Sequence, residues 1–176
     1  MNKSSYYFIP DVLTSEEIKE IQEHYKDYVC DHYSVISDKW NIDSEKMTRM
    51  EASNRCLDLI GIPENKFPSL TEKIKKSFQK IIKQQVSLEG PHYYCHYHIG
   101  DFHGLHRDNY ATHFSRDLAI IIHLSDPTEY EGGELIVNNE ITPRQKGAAI
   151  IFDASQLHEL TKVTKGDRYI ISECAN

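Results

Sequence analysis

The sequence has no apolar run approaching the ~18 residues that a membrane-crossing helix needs, so no membrane span is expected. It lacks a surplus of positive charge. Its 20 Lys and Arg stand against 27 Asp and Glu, a formal net charge of −7. General nucleic-acid binders are usually basic, so nucleic acid is not an expected partner. Cysteine is scarce and scattered: Cys30, Cys56, Cys95 and Cys174 form neither a C-x-x-C pair nor a zinc-knuckle spacing. They are read as free thiols in a reducing cytoplasm. The opening residues form no secretory h-region, because Asp11 interrupts them, which again points to the cytoplasm. Repeats, low-complexity tracts and clear linkers are absent as well. What remains is a chain of 176 residues, 39 % hydrophobic and 27 % charged, suited to one soluble domain with a real core. Nothing in it specifies an oligomeric state.

Histidine is what the chain has in an unusual place. Seven of its 10 His lie between His92 and His123, and that clustering asks for an explanation in metal or proton chemistry. Within it, His106 and Asp108 stand two apart. On a β-strand such residues point to the same side, so an imidazole and a carboxylate can converge on one ion. A second His from a later strand, His158, would complete a set of two His and one carboxylate. That set suits Fe(II) with open positions. The pair alone is weak evidence, since chance supplies about 0.7 His-x-Asp pairs in this composition.

The spacing predicts a helix over 14–28, with Thr14 or Ser15 as N-cap, Glu16 and Glu17 in the first turn, and Ile18, Ile21 and Tyr25 on one face. A second amphipathic helix is predicted over 69–86, with Ile74, Phe78, Ile81, Ile82 and Val86 as its stripe, bracketed by Pro68 and Gly90–Pro91. The stretch 31–66 is polar and irregular, and no element is assigned to it. From Pro91 the pattern turns to strands: 92–99 by alternation, 118–124 as a strand buried on both faces, then 134–137, 147–152 and 169–172. Helices followed by short strands predict a mainly β, α+β fold. A jelly roll with the helices packed on one sheet is the natural candidate. The chain is read as a single domain, with a mostly helical support region (1–90) and a β core (91–176).

Four ordered blocks carry a resemblance. They are Tyr97-x-x-Gly100 … His106-x-Asp108, then Leu124-Ser-Asp-Pro … Glu131-Gly-Gly-Glu-Leu, then Gly147 … Phe152 … His158, and Gly166-Asp-Arg168. In this order and spacing, roughly 92–172 resembles the Fe(II)/2-oxoglutarate-dependent dioxygenases of the prolyl 4-hydroxylase-like branch. The prokaryotic prolyl/lysyl hydroxylase-domain proteins are the most similar type. The resemblance implies a double-stranded β-helix core, with His106, Asp108 and His158 as iron ligands. It implies that Arg168 pairs with the distal carboxylate of 2-oxoglutarate, a task suited to a guanidinium fork. Tyr97 matches a cosubstrate-binding tyrosine, though a core aromatic on an alternating strand is the plainer reading. His123 stands where a second such tyrosine is common, and an imidazole can still donate to a carboxylate. Arg116 matches a substrate-contacting arginine, or is a surface charge. His103 stands at a substrate-facing position usually held by tyrosine, and Cys174 where many relatives have a substrate-lining tryptophan. Two aromatics that would cradle a proline ring are therefore missing. Fe(II), 2-oxoglutarate and O2, with ascorbate in support, are the expected cofactors and cosubstrates. The implied activity is hydroxylation of a C–H bond, of peptidyl proline by default, with release of succinate and CO2. A free amino acid or another small molecule is the alternative substrate. A cupin-like sensor without turnover is the alternative class, but it would have no need of Arg168. The apolar strand 118–124 and Phe152 are expected to line the pocket.

Overall fold

The computed structural model describes residues 4–28, 30, 32–34, 47–82, 85–88, 91–108 and 117–176. Helix α1 (Ser15–Tyr25) starts where the sequence places its cap. Glu17 N–H donates to Thr14 Oγ1 at 3.2 Å, and Thr14 N–H donates to the Glu17 carboxylate at 2.8 Å. This reciprocal pair satisfies two donors that a first turn leaves open. Helix α2 (Pro68–Ile82) opens on Pro68, whose fixed φ suits a first helical position, and buries Leu70, Ile74 and Phe78. Lys73 and Ser69 of α2 also donate to the Glu17 carboxylate, at 2.6 and 2.8 Å. Partial burial would raise the Glu17 carboxyl, but these donors outweigh it and hold it at about 2 instead of the usual 4.5.

Glu17→Gln is expected to cost about 1 kcal/mol at pH 7. The folded value lies below the unfolded one. The carboxylate's contribution is therefore complete above the ordinary value of 4.5 and fades as pH falls towards 2. Urea unfolding of both proteins should show a clear gap at pH 7 that narrows at pH 3.

The strands are β1 (Tyr7–Ile9), β2 (His32–Ser34), β3 (Thr48–Ala52), β4 (Arg55–Ile62), β5 (His92–Tyr97), β6 (Phe102–His106) and β7 (Leu118–His123). They continue as β8 (Glu131–Gly132), β9 (Leu135–Val137), β10 (Glu140–Ile141), β11 (Ala149–Asp153), β12 (His158–Leu160), β13 (Val163–Lys165) and β14 (Arg168–Ala175). One curled sheet runs β1-β11-β7-β14-β5-β4-β6-β12-β9-β10, with β3 and β2 continuing from β4, while β8 and β13 pair separately. All pairings are antiparallel except β2 with β3.

Alternation along the central strands explains why both faces are apolar. Ile60, Ile62, Tyr94, Ile120, Ile122 and Ile171 face outwards onto Ile18, Ile21, Ile74 and Phe78 of the helices. Leu57, Leu59, Cys95, Tyr97 and Ile170 face into the curl, as do Ala119, Ile150 and Phe152 further along. This is the jelly-roll, double-stranded β-helix arrangement expected from the sequence, with both helices on one sheet. No disulfide joins the four cysteines.

The described residues among the first ninety are less helical than the sequence suggested. They supply β1 to β4, and β4 lies inside the sheet between β5 and β6. The polar look of 31–66 hides β3 and β4 because their charged members pair with each other. Arg49 Nη1 donates to Asp58 at 3.1 Å across the hairpin. The readable signal was Leu57-Asp-Leu-Ile-Gly-Ile behind an Asn54 turn. His92 is structural: its Nδ1 lies 2.7 Å from Glu173 Oε2 and its Nε2 2.8 Å from Thr71 Oγ1, tying α2 to β14.

Candidate active site

Strands β6 and β12 place His106 directly opposite His158. Side chains at such a cross-strand pair are neighbours, and the ring centroids lie 4.1 Å apart. Asp108 arrives by a different route from the one expected. β6 ends at His106, so strand alternation does not aim Asp108. Its N–H instead donates to Ala154 O at 3.0 Å, pinning the chain just beyond the strand. The outcome is the anticipated convergence: Asp108 Oδ1 lies 3.3 Å from His106 Nε2, and Oδ2 lies 3.5 Å from His158 Nε2.

Both tautomers are set by the backbone. His106 Nδ1 donates to Gly104 O at 2.8 Å, and His158 Nδ1 donates to Gln156 O at 3.0 Å. A carbonyl can only accept, so each Nδ1 carries the hydrogen and each Nε2 presents a lone pair beside Asp108. Burial holds His158 below its ordinary value. Burial would raise Asp108, but the His106 and His158 rings beside it keep the carboxyl low. Neutral imidazoles and an ionised carboxylate are the forms that bind metal. Phe152 is not among the residues lining the adjoining cavity; its ring backs His158 at 4.6 Å.

A cavity of about 290 Å³ adjoins His106, Asp108 and His158. Tyr97, Ile121, Leu135 and Ile170 contribute to it from the central strands, and Met50, Asn54, Arg55 and Leu57 from the β3–β4 hairpin. The hairpin residues went unrecognised in the sequence because their strands did. His103 stacks on His106 at 3.8 Å and 16°. Burial and His106 push it well below its ordinary value, so it is a neutral ring. Cys174 also lines the cavity, with Sγ 3.9 Å from Asp108 Oδ2. Arg116 lies outside the described residues.

Arg168 opens β14 opposite Tyr97 of β5 and is fully buried. Its guanidinium carbon lies 5.8 Å from the Tyr97 ring centroid and 6.0 Å from that of Tyr130. Its Nη2 is 3.4 Å from His123 Nδ1. Nε and Nη1 have no hydrogen-bond partner, and neither has His123 Nε2. Among the described residues no carboxylate pairs with Arg168. A buried charge without a partner is costly, so this is a seat for an anion. Burial and the adjacent Arg168 push His123 down to about 3, leaving it neutral. Burial pushes the Tyr97 hydroxyl up, leaving it a donor. Two glycines make the seat possible. Gly166 has φ +68°, and a Cβ there would meet Glu129 O at 2.2 Å; a Cβ on Gly133 would meet Arg168 Cδ at 2.9 Å.

His106, Asp108 and His158 can bring their donor atoms within 4.8 Å of one another, which fits a metal bound on one face. Arg168, without a carboxylate partner among the described residues and beside the cavity-lining Tyr97, fits the distal carboxylate of 2-oxoglutarate. The sequence profile of the 2OG-Fe(II) oxygenase superfamily matches residues 91–173, the segment that holds all of these groups. Over that segment the chain is similar to that superfamily. The oxygenase is a 2-oxoglutarate-dependent hydroxylase with Fe(II) as its metal. A PKHD-type hydroxylase of Caulobacter sp. is 29 % identical over 173 residues, covering 91 % of this chain and 73 % of the relative. Others align over only 34 % of their own length. In fold, the oxygenase is similar to a 2OG-Fe(II) family oxidoreductase from Burkholderia pseudomallei, with a TM-score of 0.74 at 12 % identity over 98 % of this chain and 85 % of the other. It is also similar to the viral collagen prolyl hydroxylase of Paramecium Bursaria Chlorella virus-1, with a TM-score of 0.71 at 14 % identity over 99 % and 97 % of the two chains.

Proposed function

We propose that the oxygenase hydroxylates an unactivated C–H bond of a peptidyl residue, with proline the default, and couples this to conversion of 2-oxoglutarate and O2 into succinate and CO2. One oxygen atom goes to the product hydroxyl and the other to succinate. The observation that carries the reading is the pairing of a three-ligand face with a buried, unpaired Arg168. When bound, Fe(II) supplies the oxygen-activating chemistry. The protein supplies the geometry. His106, His158 and Asp108 would hold the metal through two imidazole nitrogens and a carboxylate. Arg168 fixes the far end of 2-oxoglutarate, with the Tyr97 hydroxyl as a further donor. Leu57, Leu135 and Ile121 keep the cavity wall apolar and exclude water. Ascorbate is proposed as a supporting reductant.

A cavity of about 290 Å³ is at the small end for ligand pockets and suits a single side chain presented by a larger molecule. His103 and Cys174 give it a flatter, more polar wall than two aromatics would. A second reading, a free amino acid as substrate, is favoured by Arg55, a guanidinium among the cavity-lining residues.

Purified protein with Fe(II), 2-oxoglutarate and air should release succinate, faster with the right substrate. Proline-bearing peptides are expected to gain 16 Da and to stimulate release at least about 10-fold. Stimulation by a free amino acid alone, lost in Arg55→Ala, would favour the second reading. No succinate with any candidate, despite bound iron, would sink both.

A further inference from the structure

The active site does not use up the histidine cluster. His106 goes to the metal face, His103 and His123 to the cavity and anion seat, and His92 to the link between α2 and β14. Among the described residues His96 and His98 remain; His113 lies outside them. His96 is the penultimate residue of β5, and His98 lies just beyond the strand's end. Their rings lie 3.8 Å apart. Asp58 of β4 is directly opposite His96, and Asp167 immediately precedes β14. His98 Nε2 lies 2.8 Å from Asp58 Oδ2. Asp167 Oδ1 lies 2.8 Å from His96 Nε2 and 3.2 Å from His98 Nδ1. One donor atom from each of Asp58, His96 and His98 falls within 4.8 Å of the other two.

We propose that Asp58, His96 and His98, with Asp167 at the rim, form a second divalent-metal site on the outer side of the sheet, separate from the active site. Two imidazole nitrogens and carboxylate oxygens are the donors that Zn(II) and similar cations take. The Asp58 carboxylate is already held for the task. Arg49 Nη1 donates to its Oδ1 at 3.1 Å, which leaves Oδ2 towards His98. The Arg49 charge is itself matched by Asp101, which accepts from Nη1 and Nη2 at 2.6 Å each. Carboxylates therefore outnumber the one guanidinium, and the surroundings favour a cation. Burial keeps His96 below its ordinary value despite Asp167, so its ring is available as a neutral ligand.

The position gives the site a consequence. Asp167 adjoins Arg168, and His96 adjoins Tyr97. A cation here would clamp β4, β5 and the start of β14 directly behind the anion seat. The clamp is independent of the reaction.

The test is Zn(II) titration of metal-free protein, with stoichiometry from calorimetry and metal analysis. The parent is expected to take two equivalents per chain. Asp108→Ala/His158→Ala, which disables the active site, should keep one, and Zn(II) should raise its melting temperature. His96→Ala/His98→Ala should also keep one, at the active site. His98→Ala alone changes a side chain 44 % exposed beyond the end of β5, so it should fold normally. It should weaken the outer site by more than about 10-fold. A single equivalent in the parent, lost in Asp108→Ala/His158→Ala, would overturn the proposal. So would a second equivalent that binds as tightly in His98→Ala.

Discussion

Arg168→Met will remove most of the affinity for 2-oxoglutarate while leaving the apoprotein as stable as before, or more so. The arginine is fully buried, and two of its three nitrogens have no partner. Its charge is therefore paid for only when an anion arrives. Truncating one member of a buried, hydrogen-bonded charge pair costs roughly 2–5 kcal/mol of binding, or about 30-fold to a few thousand-fold in affinity. Replacing an uncompensated buried charge with an apolar chain of similar length is often neutral or stabilising by about 1–4 kcal/mol. The two effects have opposite sign, and thermal melts with and without 2-oxoglutarate separate them. The parent should melt higher with the cosubstrate, whereas Arg168→Met should not respond to it. Iron binding should be unchanged, since no iron ligand is touched. Arg168→Lys should fall between the two, because it keeps the charge but loses the fork. If Arg168→Met binds 2-oxoglutarate like the parent, the anion seat has been assigned wrongly.

Asp108→Ala will empty the active site of iron and stop turnover. Asp108 is the only carboxylate among the three ligands, and its two oxygens face both imidazoles, at 3.3 and 3.5 Å. Losing even an outer-shell partner typically costs about 10–100-fold in metal affinity, so losing this ligand should exceed about 100-fold. Succinate release should fall in step. The fold should survive, because the bond that pins this turn is made by the Asp108 backbone N–H. Iron content, activity and the unfolding midpoint of the same preparation distinguish these outcomes. Undiminished iron would place the metal elsewhere. His98→Ala in the same background would then show whether it had moved to the outer cluster.

These predictions concern residues that differ in how legible they were. The capping box at Thr14 and Glu17 was readable because a cap is local: its partners are three residues apart. β7, β11 and β14 were readable because long apolar runs need burial whatever else the chain does. β3 and β4 were not, since Arg49, Asp58 and Asp101 look like surface charges until the sheet brings them together. The ligand set was legible as a pattern of separations, yet the argument for Asp108 was mistaken. Strand alternation was to aim it, and a backbone bond to Ala154 aims it instead.

By itself, the sequence determined the two helices, the alternation that buries both faces of the sheet, and the motif spacing that marks His106, Asp108, His158 and Arg168 as candidates. Periodicity and motif spacing are written along the chain, so they can be read along it. Only the tertiary structure decided that Arg168 has no counter-charge among the described residues, that Phe152 backs His158, that the β3–β4 hairpin lines the cavity, and that His96 and His98 meet Asp58 and Asp167. Those facts depend on which strands become neighbours in a sheet that curls back on itself. Residues some forty to seventy positions apart come within hydrogen-bonding distance there, and no local pattern records it.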